Sequence, residues 1–238
     1  MWAGGSISWP PSSQSSSSSS LPNTSNLANL LRLGQQVIER RSIDKVEYKK
    51  GMVFIHQKRE IRDPDDRVGV REVRTHVFRP PSSSTSLSKP SSSTTSPNPS
   101  PTTQSTSDLT PDISFTYLPT SPLLFRYSAL TFNAHKIHYD HPHSTRSAEQ
   151  GGEGQEGLLV HGPLTATLLI ELAAREGWVR DFRYRAVSPM VVDQEVRLVG
   201  SWRSEAEGAG PDKGTRVLEM MAVQATKVCM KATAYIEV

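Results

Sequence analysis

At 238 residues the chain has room for one large domain or two small ones, yet apolar residues make up only 35% of it and mean hydropathy is −0.46, so less of it folds than length alone suggests. The formal charge of +3 comes from basic residues scattered among acids, which excludes a nucleic-acid-binding arm and is compatible with an acidic ligand such as a CoA phosphate. A single cysteine, Cys229, excludes an internal disulfide or a cysteine-based zinc site and fits a reducing intracellular compartment; no apolar run of about 18 residues offers a membrane span.

Residues 1–10 (MWAGGSISWP) are apolar and contain Trp2 and Trp9. They lack the charged start and apolar core of a secretory signal, and the Ser-rich, acid-poor sequence before Glu39 resembles a transit peptide only faintly. Ser12–Ser20 is a low-complexity run inside a Ser-rich insertion at 11–26. Residues 27–79 read as a strand meander. Val37, Ile38, Ile43, Val46 and Tyr48 come first, then a tight turn at Lys50-Gly51, and Met52-Val53-Phe54-Ile55. A charged turn at Asp63-Pro64-Asp65-Asp66 precedes Val68, Val70, Val73, Val77 and Phe78. Three strands leave one face bare, so this block needs a partner, most simply the C-terminal part. Pro80 to about Thr110 is Ser, Thr and Pro and reads as a disordered linker. The chain thus divides into 1–79, 80–112 and 113–238.

The strongest helical pattern runs from Pro163 to Glu176, with Leu164, Leu168, Leu169, Leu172 and Ala173 as its apolar stripe. Proline suits the first turn and Gly177 the end. Strands are expected at Phe182–Val187 and Glu195–Trp202, and two more between Arg216 and Val238, with a Gly-rich loop at 204–214 between. One long helix followed by antiparallel strands able to wrap it is an α+β arrangement.

The chemistry-bearing stretch is Phe125 to Asp140, FRYSALTFNAHKIHYD, followed by GLLVHGPL at Gly157 to Leu164. The first holds Asn133, His135 and His138; the second sets His161-Gly162 just before the helix. Unpaired N–H groups at a helix start can hold a developing oxyanion, and glycine lets a carbonyl approach the backbone closely. An imidazole titrating near neutrality can shuttle the proton.

These residues resemble the MaoC-like and (R)-specific enoyl-CoA hydratases, whose signature S-G-D-x-N-P-x-H precedes a G-x-x-x-H-G-x-L helix start. They are more similar still to the branch named for mesaconyl-CoA hydratase and mitochondrial hydroxyacyl-thioester dehydratase. That branch reads T-F-N-x-H-R-I-H-Y-D, against Thr131 to Asp140 here, and its M-W-A-G-G and V-F-R elements match Met1 to Gly5 and Val77 to Arg79. The resemblance implies a double hot-dog fold, an antiparallel sheet wrapped round a central helix. Residues 1–79 would form an incomplete first half, and 113–238 the half with the active site. It implies a hydratase/dehydratase interconverting 2-enoyl and 3-hydroxyacyl thioesters of CoA or acyl carrier protein, with neither metal nor organic cofactor. A homodimer and a mitochondrial location fit it. Catalysis falls to His138 and Asn133, and substrate contact to His135, Val160, His161 and Gly162. Asn133 stands where the general signature has a catalytic aspartate. An amide cannot exchange protons as an acid or base, so His138 is expected to carry proton transfer while Asn133 positions water. Asp140 is a candidate partner for an imidazole. Relatives also extend before the M-W-A-G-G element, so either the sequence is a truncated version of a longer one or its first hot dog is incomplete.

Plainer readings stand beside these. The spacing of His135, His138, His141 and His143 matches no familiar zinc pattern, and His141 and His143 flank Pro142 in a solvated loop. Ser128 and Thr131 sit in no nucleophile elbow. Cys229 reads as a small buried hydrophobe. The rival functions are a non-catalytic acyl-thioester-binding hot dog, for which Asn133 argues, and a hot-dog thioesterase.

Overall fold

The computed structural model describes residues 2–9, 31–78, 110–204 and 214–237. The Ser-rich insertion at 11–26, the linker up to residue 109 and nearly all of the Gly-rich loop lie outside the described residues. Among the described residues nine strands form one sheet in which every pairing is antiparallel. They are β1 (Trp2–Ser8), β2 (Ile38–Lys49), β3 (Met52–Arg62), β4 (Val68–Phe78), β5 (Ile113–Tyr117), β6 (Trp178–Ala186), β7 (Val196–Trp202), β8 (Thr215–Gln224) and β9 (Lys227–Glu237). Their order across the sheet is β2-β3-β4-β1-β6-β9-β8-β7-β5. Three helices, α1 (Ser121–Leu130), α2 (His141–Thr145) and α3 (Gly162–Ala173), connect β5 to β6.

The meander is present as β2, β3 and β4, and Lys50 and Gly51 have φ of 52° and 74°. Two consecutive positive φ values give the tight hairpin turn that matches strand twist. The needed partner is β1, hydrogen-bonded between β4 and β6. Its glycines are dictated by that position. A Cβ on Gly4 would come to 2.5 Å from the Tyr184 carbonyl oxygen; one on Gly5 would meet the Tyr184 hydroxyl at 2.8 Å and the Val73 carbonyl oxygen closer still. The apolar opening is thus a strand, and β5 and α1 are further elements that the residue pattern does not suggest. Helix α3 begins at Gly162, one residue before the expected Pro163, and ends at Ala173, where a tight turn from the Ala173 carbonyl to the Glu176 N–H replaces the last helical turn.

The core lies between α3 and the C-terminal strands. Leu164, Ala166, Leu169, Leu172 and Ala173 meet Phe182, Leu198, Leu218, Met220, Met230 and Ile236, all buried. Each large apolar side chain buried this way contributes roughly 1.5–3 kcal/mol. Cys229 is part of this core, and burial pushes its thiol up. Helix α3 rests mainly on β1, β5, β6, β8 and β9; strands β2, β3 and β4 extend past it as a wing.

Candidate active site

The site is assembled from three short segments. Helix α1 is capped by the Thr120 hydroxyl, with Pro122 in the first turn. It ends at Leu130 with Thr131 as C-cap, Phe132 turns left-handed at φ 52°, and the Asn133 N–H returns to the Ser128 carbonyl at 2.9 Å. The Asn133 Oδ1 then accepts the His135 N–H at 3.1 Å, and a single 3₁₀ turn at Lys136–His138 follows. Asp140 caps α2, its Oδ1 accepting the His143 N–H at 3.0 Å. Residues 157–160 are clamped on both sides. The Ser144 hydroxyl donates to the Gly157 carbonyl at 2.7 Å, the Leu159 N–H to Ile137 at 2.9 Å, and the Val160 N–H to Met190 at 2.8 Å. This clamp delivers His161 and Gly162 to the start of α3.

His138 Nδ1 lies 2.7 Å from the Leu159 carbonyl oxygen. A carbonyl only accepts, so the ring proton sits on Nδ1 and Nε2 carries a bare lone pair. The His138 ring stacks on His161, with centroids 3.7 Å apart and planes within 20°. His161 is fully buried; its Nε2 is 2.8 Å from the Ser128 hydroxyl, and the Tyr127 ring meets it edge-on at 4.9 Å. The buried Nδ1 of His161 has no hydrogen-bond partner. Burial, aided by the neighbouring His138 and His135, holds His161 down at about 3. Burial also lowers His138, against the opposing pull of the Leu159 carbonyl. Both rings are therefore neutral at physiological pH. His138 has the protonation state of a base, and His161 is an uncharged plate behind it.

The α3 start supplies donors. Pro163 has no N–H, the Thr165 N–H reaches the His161 carbonyl at 3.3 Å, and the His161 side chain makes no cap. The N–H groups of Gly162 and Leu164 belong to the set left without intrahelical acceptors at any helix start.

His138, His161 and Gly162 are brought together. His135 is exposed and edge-on to His138 at 5.7 Å. Val160 is in the core, and its N–H is already used. Asn133 is half-buried, with its carbonyl oxygen turned back on its own chain. Asp140 serves as a helix cap. Ser128 and Tyr127 join the cluster through His161, a role that no motif marks. A cleft of about 530 Å³ opens on the outer face of the sheet around Gly4, His56 and Arg183 and touches neither His138 nor Gly162. Among the described residues no group of three His, Cys, Asp or Glu side chains is placed to hold a metal ion, and no helix is long and apolar enough to cross a membrane.

The family model described as hydroxyacyl-thioester dehydratase type 2 matches residues 1–192. The chain belongs to this family. Over 108 residues it is 44% identical to mesaconyl-C(4)-CoA hydratase of Chloroflexus aurantiacus, covering 43% of this chain and 37% of that protein. Over 93 residues it is 34% identical to the mitochondrial hydroxyacyl-thioester dehydratase type 2 of Schizosaccharomyces pombe, covering 37% and 29%. The matches therefore span about a third of those curated relatives. Among solved structures, a MaoC-like dehydratase superposes with TM-score 0.67 over 100% of this chain and 75% of its own, at 14% identity. The MaoC-like dehydratase of Phytophthora capsici gives 0.61 over 100% and 68%, at 10% identity. These likenesses show the fold, an α+β hot dog of the MaoC-like kind with α3 as its central helix.

Proposed function

We propose that the chain is a hydro-lyase, reversibly adding water to a 2-enoyl thioester to give the 3-hydroxyacyl thioester. His138 Nε2 takes a proton from water held by the Asn133 NH₂, and the hydroxide adds to the β-carbon. The electron pair of the C=C bond moves to the thioester oxygen, which accepts the Gly162 N–H at the start of α3. The imidazolium then returns its proton to the α-carbon, so the net change is addition of H and OH. A positioned imidazole and a backbone oxyanion donor each contribute about 10²–10⁴-fold to rate. The observation that carries this reading is the His138 Nδ1–Leu159 carbonyl bond, which fixes the basic nitrogen's tautomer beside the helix start.

In this scheme His161 positions the base from behind and Val160 acts as wall, while His135, exposed beside His138, stays a candidate for substrate contact. Residues 1–79 are taken as a partial first hot-dog half and 113–238 as the half with the site. The name of one curated relative favours a CoA thioester over one of acyl carrier protein, and the name of the other favours a mitochondrial setting. A homodimer suits the fold. The test is the absorbance of the conjugated thioester of crotonyl-CoA. His138→Ala should nearly abolish its loss while circular dichroism is unchanged; a fully active variant removes the assigned role.

One observation favours a second reading, an acyl-thioester-binding protein without catalysis: Asn133 is an amide whose oxygen is spent on a turn. Protein that binds crotonyl-CoA and turns over no enoyl thioester selects it. A thioesterase fits less well, since such chemistry usually needs a carboxylate aimed at the carbonyl and the start of α3 presents His161 instead.

A further inference from the structure

The carbonyl that fixes the tautomer of His138 is itself held from a distance. Leu159 and Val191 form a short antiparallel bridge. It is flanked by the Val160 N–H to the Met190 carbonyl at 2.8 Å and the Val192 N–H to the Leu158 carbonyl at 2.9 Å. Leu159 and Val191 are thus a directly opposed pair without hydrogen bonds to each other, and the polar backbone groups of each point away from the other. On one side the Leu159 N–H reaches Ile137 at 2.9 Å, and its carbonyl meets His138 Nδ1 at 2.7 Å. On the other side Val191 turns to the side chain of Gln224, the last residue of β8.

Gln224 is buried, and its amide does for Val191 what the backbone of a neighbouring strand would do. Its Oε1 accepts the Val191 N–H at 2.8 Å, while its Nε2 donates to the Val191 carbonyl at 2.8 Å and to the Gln194 carbonyl at 3.0 Å. The orientation of the amide is forced, because an N–H only donates and the two carbonyls only accept. Gln224, Val191, Leu159 and His138, from four separate segments, therefore stand in one row that ends on the base. Hydrogen-bonded groups linked in this way polarise and stiffen one another. Filling the space would not require an amide, since methionine has the same reach. What the amide adds is the orientation of the Val191 peptide groups.

We propose that Gln224 is a positioning residue for the reaction: through Val191 and Leu159 it aims the carbonyl that holds His138 Nδ1, and with it the bare Nε2 lone pair. This rests on the hydratase reading for its effect on turnover, but not for its effect on the ring. A misplacement of about 1 Å caused far from the chemistry can cost about 10²-fold in rate. Gln224 touches no ligand in this scheme, so its loss falls on kcat and leaves KM nearly unchanged.

The test compares Gln224→Met, which keeps the reach of the side chain and removes its hydrogen bonds, with Leu218→Ala, which weakens the core on the same strand. Both are assayed with crotonyl-CoA under conditions in which urea unfolding shows each protein fully folded. Gln224→Met should lower kcat about tenfold or more and keep KM within about twofold, while Leu218→Ala keeps the kcat of wild type. In the ligand-free protein, the ring N–H resonance that His138→Ala removes should shift and exchange faster with water in Gln224→Met, and stay in place in Leu218→Ala. Gln224→Glu should match Gln224→Met at alkaline pH and regain activity relative to it on acidification, because only a protonated carboxyl can donate to a carbonyl. A Gln224→Met with the kcat of wild type, a loss no greater than that of Leu218→Ala, or an unmoved His138 resonance overturns the assignment. So does a Gln224→Glu that regains nothing. If wild type turns over no enoyl thioester and the resonance still responds to Gln224→Met, the hydratase reading fails and the link from Gln224 to the ring stands.

Discussion

His161 ties the stability of this fold to pH, and the size of that effect can be worked out. In the unfolded chain its imidazole titrates at its ordinary value of 6.5, whereas in the folded protein it is held at about 3. Between these values the unfolded state binds the extra proton, so stability is full above pH 6.5 and falls as the solution is acidified. From pH 7 to pH 5 the loss from this ring is RT[ln(1 + 10^1.5) − ln(1 + 10^−0.5)], about 2 kcal/mol, and the unfolded imidazole alone sets it over that range. Glu39, Glu47 and Glu60, each lowered from 4.5 to about 2 by their basic partners, lose their share of stability only below that window. His138 shifts in the same direction and stays in place as background. The perturbation is His161→Gln, which removes the titrating ring and keeps a neutral polar side chain. Urea unfolding of both proteins at pH 7, 6 and 5 gives the two slopes. Wild type should lose about 2 kcal/mol more than the variant between pH 7 and pH 5. Equal losses, or a steeper fall in the variant, would refute the idea of a buried neutral plate.

Other outcomes follow from the same geometry. Ser128→Ala strips His161 Nε2 of its partner and leaves both ring nitrogens unsatisfied, so it should cost about 1–3 kcal/mol in urea unfolding; no measurable change would separate the two side chains. The acid limb of kcat/KM should lie below pH 6.5, because burial favours the neutral His138; a limb above 6.5 contradicts that environment. Leu169→Ala, at a fully buried position facing the sheet, should cost about 2–5 kcal/mol in the same assay. Gly5→Ala forces a methyl against the Tyr184 hydroxyl and the Val73 carbonyl and should lower Tm sharply; an unchanged Tm would mean that β1 is not seated as described.

Strands β2 to β4 could be read from the chain because Val and Ile recur between turn residues that only one backbone shape suits, as at Lys50-Gly51. Helix α3 was visible through its leucine stripe, to within a residue at its start. Strand β1 was hidden: WAGGSIS has too little β-branched content, and its glycines make sense only once β4 and β6 stand on either side. Strand β5, five residues after a Ser/Thr/Pro tract, carries no periodicity of its own. At the site, spacing and motif singled out His138, His161 and Gly162, since a helix start and a nearby imidazole are local features. The Ser128–His161 bond joins residues 33 apart that only packing brings together. The inward turn of Asn133 Oδ1 depends on a single backbone conformation. The ion pairs that tie β3 to β2 and β4, Arg59 with Glu39 and with Glu72, could not be seen either, because which side chains share a face depends on registers that a one-residue slip would reverse.

The place of β1 bears on how the molecule is made. Its seven residues lie between neighbours more than 60 positions downstream on one edge and more than 170 on the other. Contacts that distant close large loops before any reward is collected, and they slow folding. The β2–β4 hairpins can assemble alone, but they cannot attach to the body until β6 has taken up its place. Until then β1, which can already pair with β4, presents an open edge with unpaired backbone groups. Chaperone dependence and aggregation during synthesis should therefore be governed by that late splice more than by the catalytic half.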